Sequence, residues 1–352
     1  GCVSLIKITI PKTVVELCKN CFERCTSLTF IEIPSSVTKI GKNAFNGCSS
    51  LTQISIPRGV TIIDNFVFAG CSSLVQVEIP STVTTFGNGV FEGCSSLVEI
   101  NLPISLKKIG KTVFKGCLSL TKISIPSLIE NLPEGTFSEC ESLSEVNLPN
   151  GINSIGSNCF FNCVSLENID LPSSVTSIGD SSFSQCTSLK KFIIPPSVLT
   201  IGKSAFYDCS SLIQISIPSS VVSIGASSFQ KCSSLLKIEL PNSIEEIEWS
   251  LFEECTALLQ VVIPDSVKVI GSSAFRDCSS LNQISIPSSV KKIEKGAFRG
   301  CSSLTRIKIP TSVTSIGSAV FSLCSSLIYL EIPSTLNSKN LGLPADFKIT
   351  KI

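Results

Sequence analysis

Apolar and polar positions recur along this chain with a period of 23 residues. Residues 48–70 make one unit, in which Leu51, Ile54, Ile56, Val60, Ile63 and Phe68 are the recurring apolar positions. Ile54 and Ile56 alternate with polar Gln53 and Ser55, a spacing that predicts a short strand with one buried face. Pro57 ends that strand, because it has no N–H to give to a neighbouring strand. Val60 and Ile63 return to the core from the far side and predict a second short extended segment. A Gly often follows the Ile of that segment (Gly41, Gly87, Gly110, Gly156, Gly179), which predicts a tight turn. The Ala-Phe-x-x-Cys stretch, as in residues 44–48, predicts a single helical or 3₁₀ turn.

The unit repeats without insertion or deletion. Fifteen cysteines stand at a spacing of 23 from Cys2 to Cys324, a Leu follows each three residues later, and a Pro follows six residues after each Leu. A unit of this length cannot bury its own apolar set, whereas stacked neighbours can, because each covers the apolar edge of the one before. The periodicity predicts one solenoid over residues 1–336, of about fifteen repeats, beginning mid-repeat. It fails after Leu336: Lys339 stands where Ile is expected and Pro344 where Phe is expected. Leu341, Leu343, Phe347 and Ile349 can fold over the last rung, so residues 337–352 are expected to form a cap or tail.

The Leu-x-x-Ile-x-Ile-Pro core resembles the strand of leucine-rich repeats. It departs from the general signature eight residues after the Leu, where Gly59, Ser36 or Thr82 replaces the expected Asn or Cys. The full unit, Ile-Gly-x-x-Ala-Phe-x-x-Cys-Ser-Ser-Leu-x-x-Ile-x-Ile-Pro-x-Ser-Val, resembles the BspA-like (Treponema pallidum type) repeat class, and residues 271–290 carry it closely. The resemblance implies a right-handed leucine-rich-repeat superhelix, with a parallel sheet on the concave face and turns or helical turns on the convex side. It also implies a surface or secreted protein that adheres to host matrix proteins and cells.

Charge adds little. Lys and Arg total 28 against 27 Asp and Glu, so the net charge of +1 makes no electrostatic case for a nucleic-acid partner. No apolar run reaches the roughly 18 residues that span a bilayer, so no membrane insertion is expected within this segment. There is no Met, so Gly1 is read as the start of a fragment or a processed form. There is no His, which removes His-based triads, bases and metal ligands. No convergent catalytic set is visible, and no enzyme activity or cofactor is expected.

The cysteine ladder is read as a column of small, buried, free thiols rather than a disulfide framework, since all fifteen share one register. Cys159 falls at the register of Ala44, Ala205 and Ala274, so packing accounts for it. Cys18, Cys21 and Cys25 have a spacing that permits a zinc site or a capping disulfide, with plain packing as the first reading and no metal assigned. The acidic run Glu239, Glu245, Glu246, Glu248, Glu253 and Glu254 is read as a solvated rung paired with basic neighbours, Lys268 for Glu245 and Lys292 for Glu246.

The outward positions of the strands are the expected binding surface. The candidate contact residues are acidic Glu78, Glu99, Glu145 and Asp170, aromatic Phe30 and Tyr329, and apolar Ile193 and Val262 at polar registers. Trp249, the one Trp, lies outside the apolar set and is expected to be exposed as a further contact point. The expected function is a non-catalytic extracellular or cell-surface module that binds host or matrix proteins. The alternative is a structural spacer that presents other domains.

Overall fold

The computed structural model describes residues 1–344 and 347–352. The chain forms two compact units, Gly1–Val175 and Thr176–Ile352. Both are built from stacked rungs, and most rungs contribute a three-residue strand, a two-residue strand or both. In the first unit the longer strands include Gln53–Ser55 beside Gln76–Glu78 and Lys122–Ser124 beside Glu145–Asn147. Its shorter strands Glu16–Leu17, Lys39–Ile40, Ile62–Ile63 and Thr85–Phe86 form one sheet. In the second unit Lys191–Ile193, Gln214–Ser216, Lys237–Glu239 and Gln260–Val262 lie side by side. Every strand pairing is parallel, and each within the repeats joins a residue to the one 23 positions on, as in Gln53↔Gln76 and Lys191↔Gln214. Only an uninterrupted period allows this, because one extra residue in a rung would turn its strand over. The second extended segment predicted around Ile63 is therefore present, and Val60 and Ile63 are fully buried.

The core is a set of columns. Leu51, Leu74, Leu97 and Leu120 make one in the first unit, all fully buried. Phenylalanines make another: Phe45, Phe68, Phe91, Phe114 and Phe137 stack at 5.5–5.7 Å between neighbouring ring centroids, within 10° of parallel. In the second unit Phe183, Phe206 and Phe229 continue the pattern at 5.6 Å. The cysteines form a third column. All eighteen are free, and fifteen are buried, Cys159 among them. Most of the buried thiols have a defined partner: the Cys71 thiol donates to the Phe45 carbonyl at 3.2 Å, and Cys209 to that of Phe183 at 3.2 Å. The small sulfur thus fills core volume and ties a rung to the carbonyl 26 residues earlier.

The Ala-Phe-x-x-Cys stretch differs from expectation, since no described residue is helical. Asn43 and Gly47 have φ of 57° and 74°, whereas a helix requires a run of negative φ. Bonds alternate between local and stacked partners. Asn46 N–H reaches the Asn43 carbonyl at 3.1 Å, while Phe45 N–H reaches that of Val67 at 2.9 Å in the next rung. The segment forfeits helical bonds in exchange for bonds along the stack.

At the register of Gly47 the left-handed φ is kept by other residues, including Gln185 at 61° and Asp277 at 57°. Gln185→Gly is expected to stabilise the fold by about 0.5–1 kcal/mol, because relief of left-handed strain exceeds the extra freedom glycine has unfolded. The urea unfolding midpoint measures this, and a lowered midpoint would contradict it.

The glycines after the short strands serve another purpose than the predicted tight turn. Gly41 and Gly202 do not have positive φ, but a Cβ on either would lie 2.6 Å and 2.5 Å from a backbone nitrogen of the preceding rung, those of Lys19 and Asp180. Close approach of two backbones is the requirement. Cys18 and Cys21 also depart from the packing reading, for both are exposed. At the last rung, Ile349–Lys351 pairs in parallel with Tyr329–Ile332, and Leu341 is buried.

Candidate binding surface

Alternation within most three-residue strands buries the central residue and turns the flanking two to solvent. Ile215 is buried between exposed Gln214 and Ser216, and Phe192 between Lys191 and Ile193. This places every candidate strand residue of the sequence reading on an outward column, and the two units carry opposite charge there. In the first, Glu32, Glu78, Glu99, Glu145 and Asp170 stand against Lys7 and Lys122. In the second, Lys191, Lys237, Arg306 and Lys308 stand against Glu239 and Glu331.

In the first unit Phe30 and Glu78 come together. They line a groove of about 930 Å³ on four successive rungs, shared with Lys7, Lys12, Glu32 and Gln53. The Phe30 ring is 42% exposed, an aromatic surface with acids on one side and lysines at one end. Glu99 lies further along and is ion-paired to Lys122 at 3.5 Å. Glu145 accepts a hydrogen bond from the Asn147 amide at 2.9 Å, and Asp170 is exposed.

In the second unit Ile193 and Val262 share one column but are not neighbours. Ile193 pairs with Ser216, and Val262 pairs with Glu239. At 4.7–4.9 Å per rung they stand roughly 14 Å apart. On the three rungs that follow that of Ile193, beside this column, stand exposed side chains that the sequence reading missed: Ile213, Leu236 and Leu259, in the register just before the strand. Three aliphatics in consecutive repeats at a register elsewhere held mainly by Thr, Ser or Val were the available signal. Tyr329 is fastened rather than free: its hydroxyl donates to Glu331 at 2.7 Å, and Lys308 meets the same carboxylate at 2.6 Å. These bonds hold the Glu331 carboxyl below the usual carboxylate range.

Trp249 is 53% exposed, as expected, on the turn after the short strand Glu246–Ile247. It belongs to a different side of the rung from the long strands. In the acidic run, Glu245 pairs with Lys268 at 2.9 Å as predicted. Lys292 does not pair with Glu246; it bonds Glu294 on its own strand side at 2.6 Å. Burial and neighbouring Glu248 and Glu294 therefore raise the Glu246 carboxyl above its ordinary value. Among the described residues no group of His, Cys, Asp and Glu has a metal-holding arrangement, and no helix is long and apolar enough to cross a membrane.

The family model for the BspA type leucine rich repeat region matches in overlapping stretches, residues 1–118, 61–175, 107–236, 154–281 and 252–351. A solved leucine-rich repeat protein from Bacteroides ovatus is 37% identical with a TM-score of 0.90, over 96% of this chain and 88% of that one. A leucine rich cell surface protein from Faecalibacterium prausnitzii is 29% identical with a TM-score of 0.53, over 84% of this chain and 82% of its own. A leucine-rich repeat protein from Eubacterium ventriosum is 26% identical with a TM-score of 0.64, over 90% and 87%. No curated protein matches in sequence.

Proposed function

Because the chain belongs to the BspA-type leucine-rich repeat family, we propose that it is a non-catalytic, cell-surface or secreted module that binds host or matrix proteins through its outward strand columns. The observation that carries this is the surface itself. Apolar and aromatic side chains (Phe30, Ile193, Val262) stand 42–59% exposed on positions that alternation reserves for polar residues. Rigid scaffolds tolerate such residues where they serve as contact points, since exposed apolar patches mark interaction sites. A surface location is supported by the description of the Faecalibacterium relative as a cell surface protein. We further propose that residues 337–352 cap the last rung, on the strength of the added strand Ile349–Lys351.

The test is a binding screen against immobilised matrix proteins and host cells, run beside a variant carrying Phe30→Asp, Ile193→Asp and Val262→Asp. All three positions are exposed, so the variant is expected to fold. The expected result is saturable binding that the variant loses by about ten-fold or more. Binding that survives in the variant would move the contact surface elsewhere, with Trp249 the first position to replace. Absence of binding to every surface would favour a structural spacer.

A further inference from the structure

Ile213, Leu236 and Leu259 stand 49%, 43% and 47% exposed in consecutive rungs of the second unit. The Leu236 N–H donates to the Ile213 carbonyl at 3.2 Å, and the Leu259 N–H to that of Leu236 at 2.9 Å, so the three form one unbroken column. Lys191 and Lys237 stand on the outward column beside it, with Gln214 paired to Lys237 between them. Neither lysine is ion-paired among the described residues. Glu239, two positions on from Lys237, is the acid in this neighbourhood. An aliphatic column flanked by unpaired cations is complementary to an apolar stripe flanked by carboxylates.

The backbone narrows the shape of such a partner. The strands Gln214–Ser216 and Lys237–Glu239 are each bonded on both sides, so no free edge is left there for an added strand. Recognition must come from side chains running across the rungs. Two rung steps span about 9.6 Å, and two turns of an α-helix about 10.8 Å, so apolar residues at i, i+4 and i+7 of a helix can follow the column. Resting on the reading that the outward strand columns bind proteins, we propose that Ile213, Leu236 and Leu259, with Lys191 and Lys237, bind an acidic amphipathic helix of a partner protein.

The experiment pans the whole chain against a display library of helix-forming peptides of about 18 residues and then titrates the enriched peptides by fluorescence anisotropy. Enrichment of net-negative sequences with an i, i+4, i+7 apolar stripe is expected. Their binding should weaken about ten-fold or more in Leu236→Ser and in the double variant Lys191→Glu, Lys237→Glu. Val98→Ser, at the same register in the first unit, should leave it unchanged. No enrichment, enrichment of basic or unpatterned peptides, or binding that survives Leu236→Ser would overturn the proposal. Heparin binding that depends on the lysines and not on Leu236 would overturn it in favour of a polyanion. Matrix binding lost with Phe30→Asp but kept with Leu236→Ser would leave the general reading standing while this one falls.

Discussion

Raising the pH above about 9 is expected to destabilise this protein steeply, because its buried thiols resist ionisation and the same thiols unfolded do not. Burial pushes Cys48 up to about 12, and raises Cys71, Cys94, Cys140, Cys209, Cys255 and Cys278 well above the ordinary thiol range. Neighbouring thiols in the column add to the effect, while the hydrogen bonds to backbone partially offset it. The sign follows from proton counting. Above the unfolded thiol pKa the unfolded chain has released protons that the folded chain still holds, so stability falls as pH rises. Below that pKa both states hold the proton and the contribution is complete and constant. Each such thiol removes about 1.4 kcal/mol per pH unit across this window. The exposed Lys39–Glu16 pair weakens in the same direction at higher pH, but contributes little. Urea midpoints measured under reductant should therefore be level up to about pH 8 and fall sharply beyond about pH 9. The double variant Cys209→Ala, Cys232→Ala should show a slope shallower by roughly 3 kcal/mol per pH unit. A level profile to about pH 11 would mean that the thiols ionise in the fold as readily as outside it. At neutral pH, alkylation should modify exposed Cys2 and Cys18 first, then more slowly Cys21, whose thiol burial pushes up to about 11, and spare the rest.

Phe206→Ala is expected to cost about 3–5 kcal/mol. The ring is fully buried and stacks at 5.6 Å on both Phe183 and Phe229, with the edge of Phe192 at 4.7 Å. Its removal leaves a cavity that rigid rungs on either side cannot close, because their positions are set by backbone bonds rather than by the ring. It also weakens the contact between neighbouring rungs, which in a solenoid carries the cooperativity. Amide exchange should thus accelerate on both sides of the altered rung, beyond residue 206 itself. Phe206→Leu, which refills most of the volume, should recover more than half of the loss. Equal costs for Ala and Leu would show that the stacked ring geometry, rather than filled volume, holds the rungs together.

Much of this architecture could be read from the chain. A residue's stacking partner in a solenoid is the residue one period away, so the 23-residue spacing identified the columns of Leu, Phe and Cys and the register of the strand pairs within the repeats, though not the offset of 19 by which Ile349–Lys351 joins the last rung. The same spacing identified Lys268 as the partner of Glu245. The outward candidates were legible for an equally local reason: in a short strand, alternation alone decides which side chains face solvent. That is how Phe30, Ile193 and Val262 stood out as apolar residues at polar registers.

What the period does not contain is conformation within the turn and choice among near neighbours. The left-handed φ of Asn43 and Gly47, which replaces the expected helical turn, follows from bonds made to the next rung, and no local pattern announces it. The requirement for Gly41 comes from a backbone 2.6 Å away in another rung, not from its own turn. Lys292 turns to Glu294 instead of Glu246 because a long side chain takes whichever carboxylate lies in reach. Exposure of Ile213, Leu236 and Leu259 was likewise hidden, since their register lies outside the alternating strand and periodicity assigns it no face. The sequence by itself determined what stacks on what, because stacking depends only on the length of the repeat. Tertiary structure alone decided how each turn closes, which backbones touch and which side chains outside the strands remain in water, because those depend on distances between rungs that the repeat length does not encode.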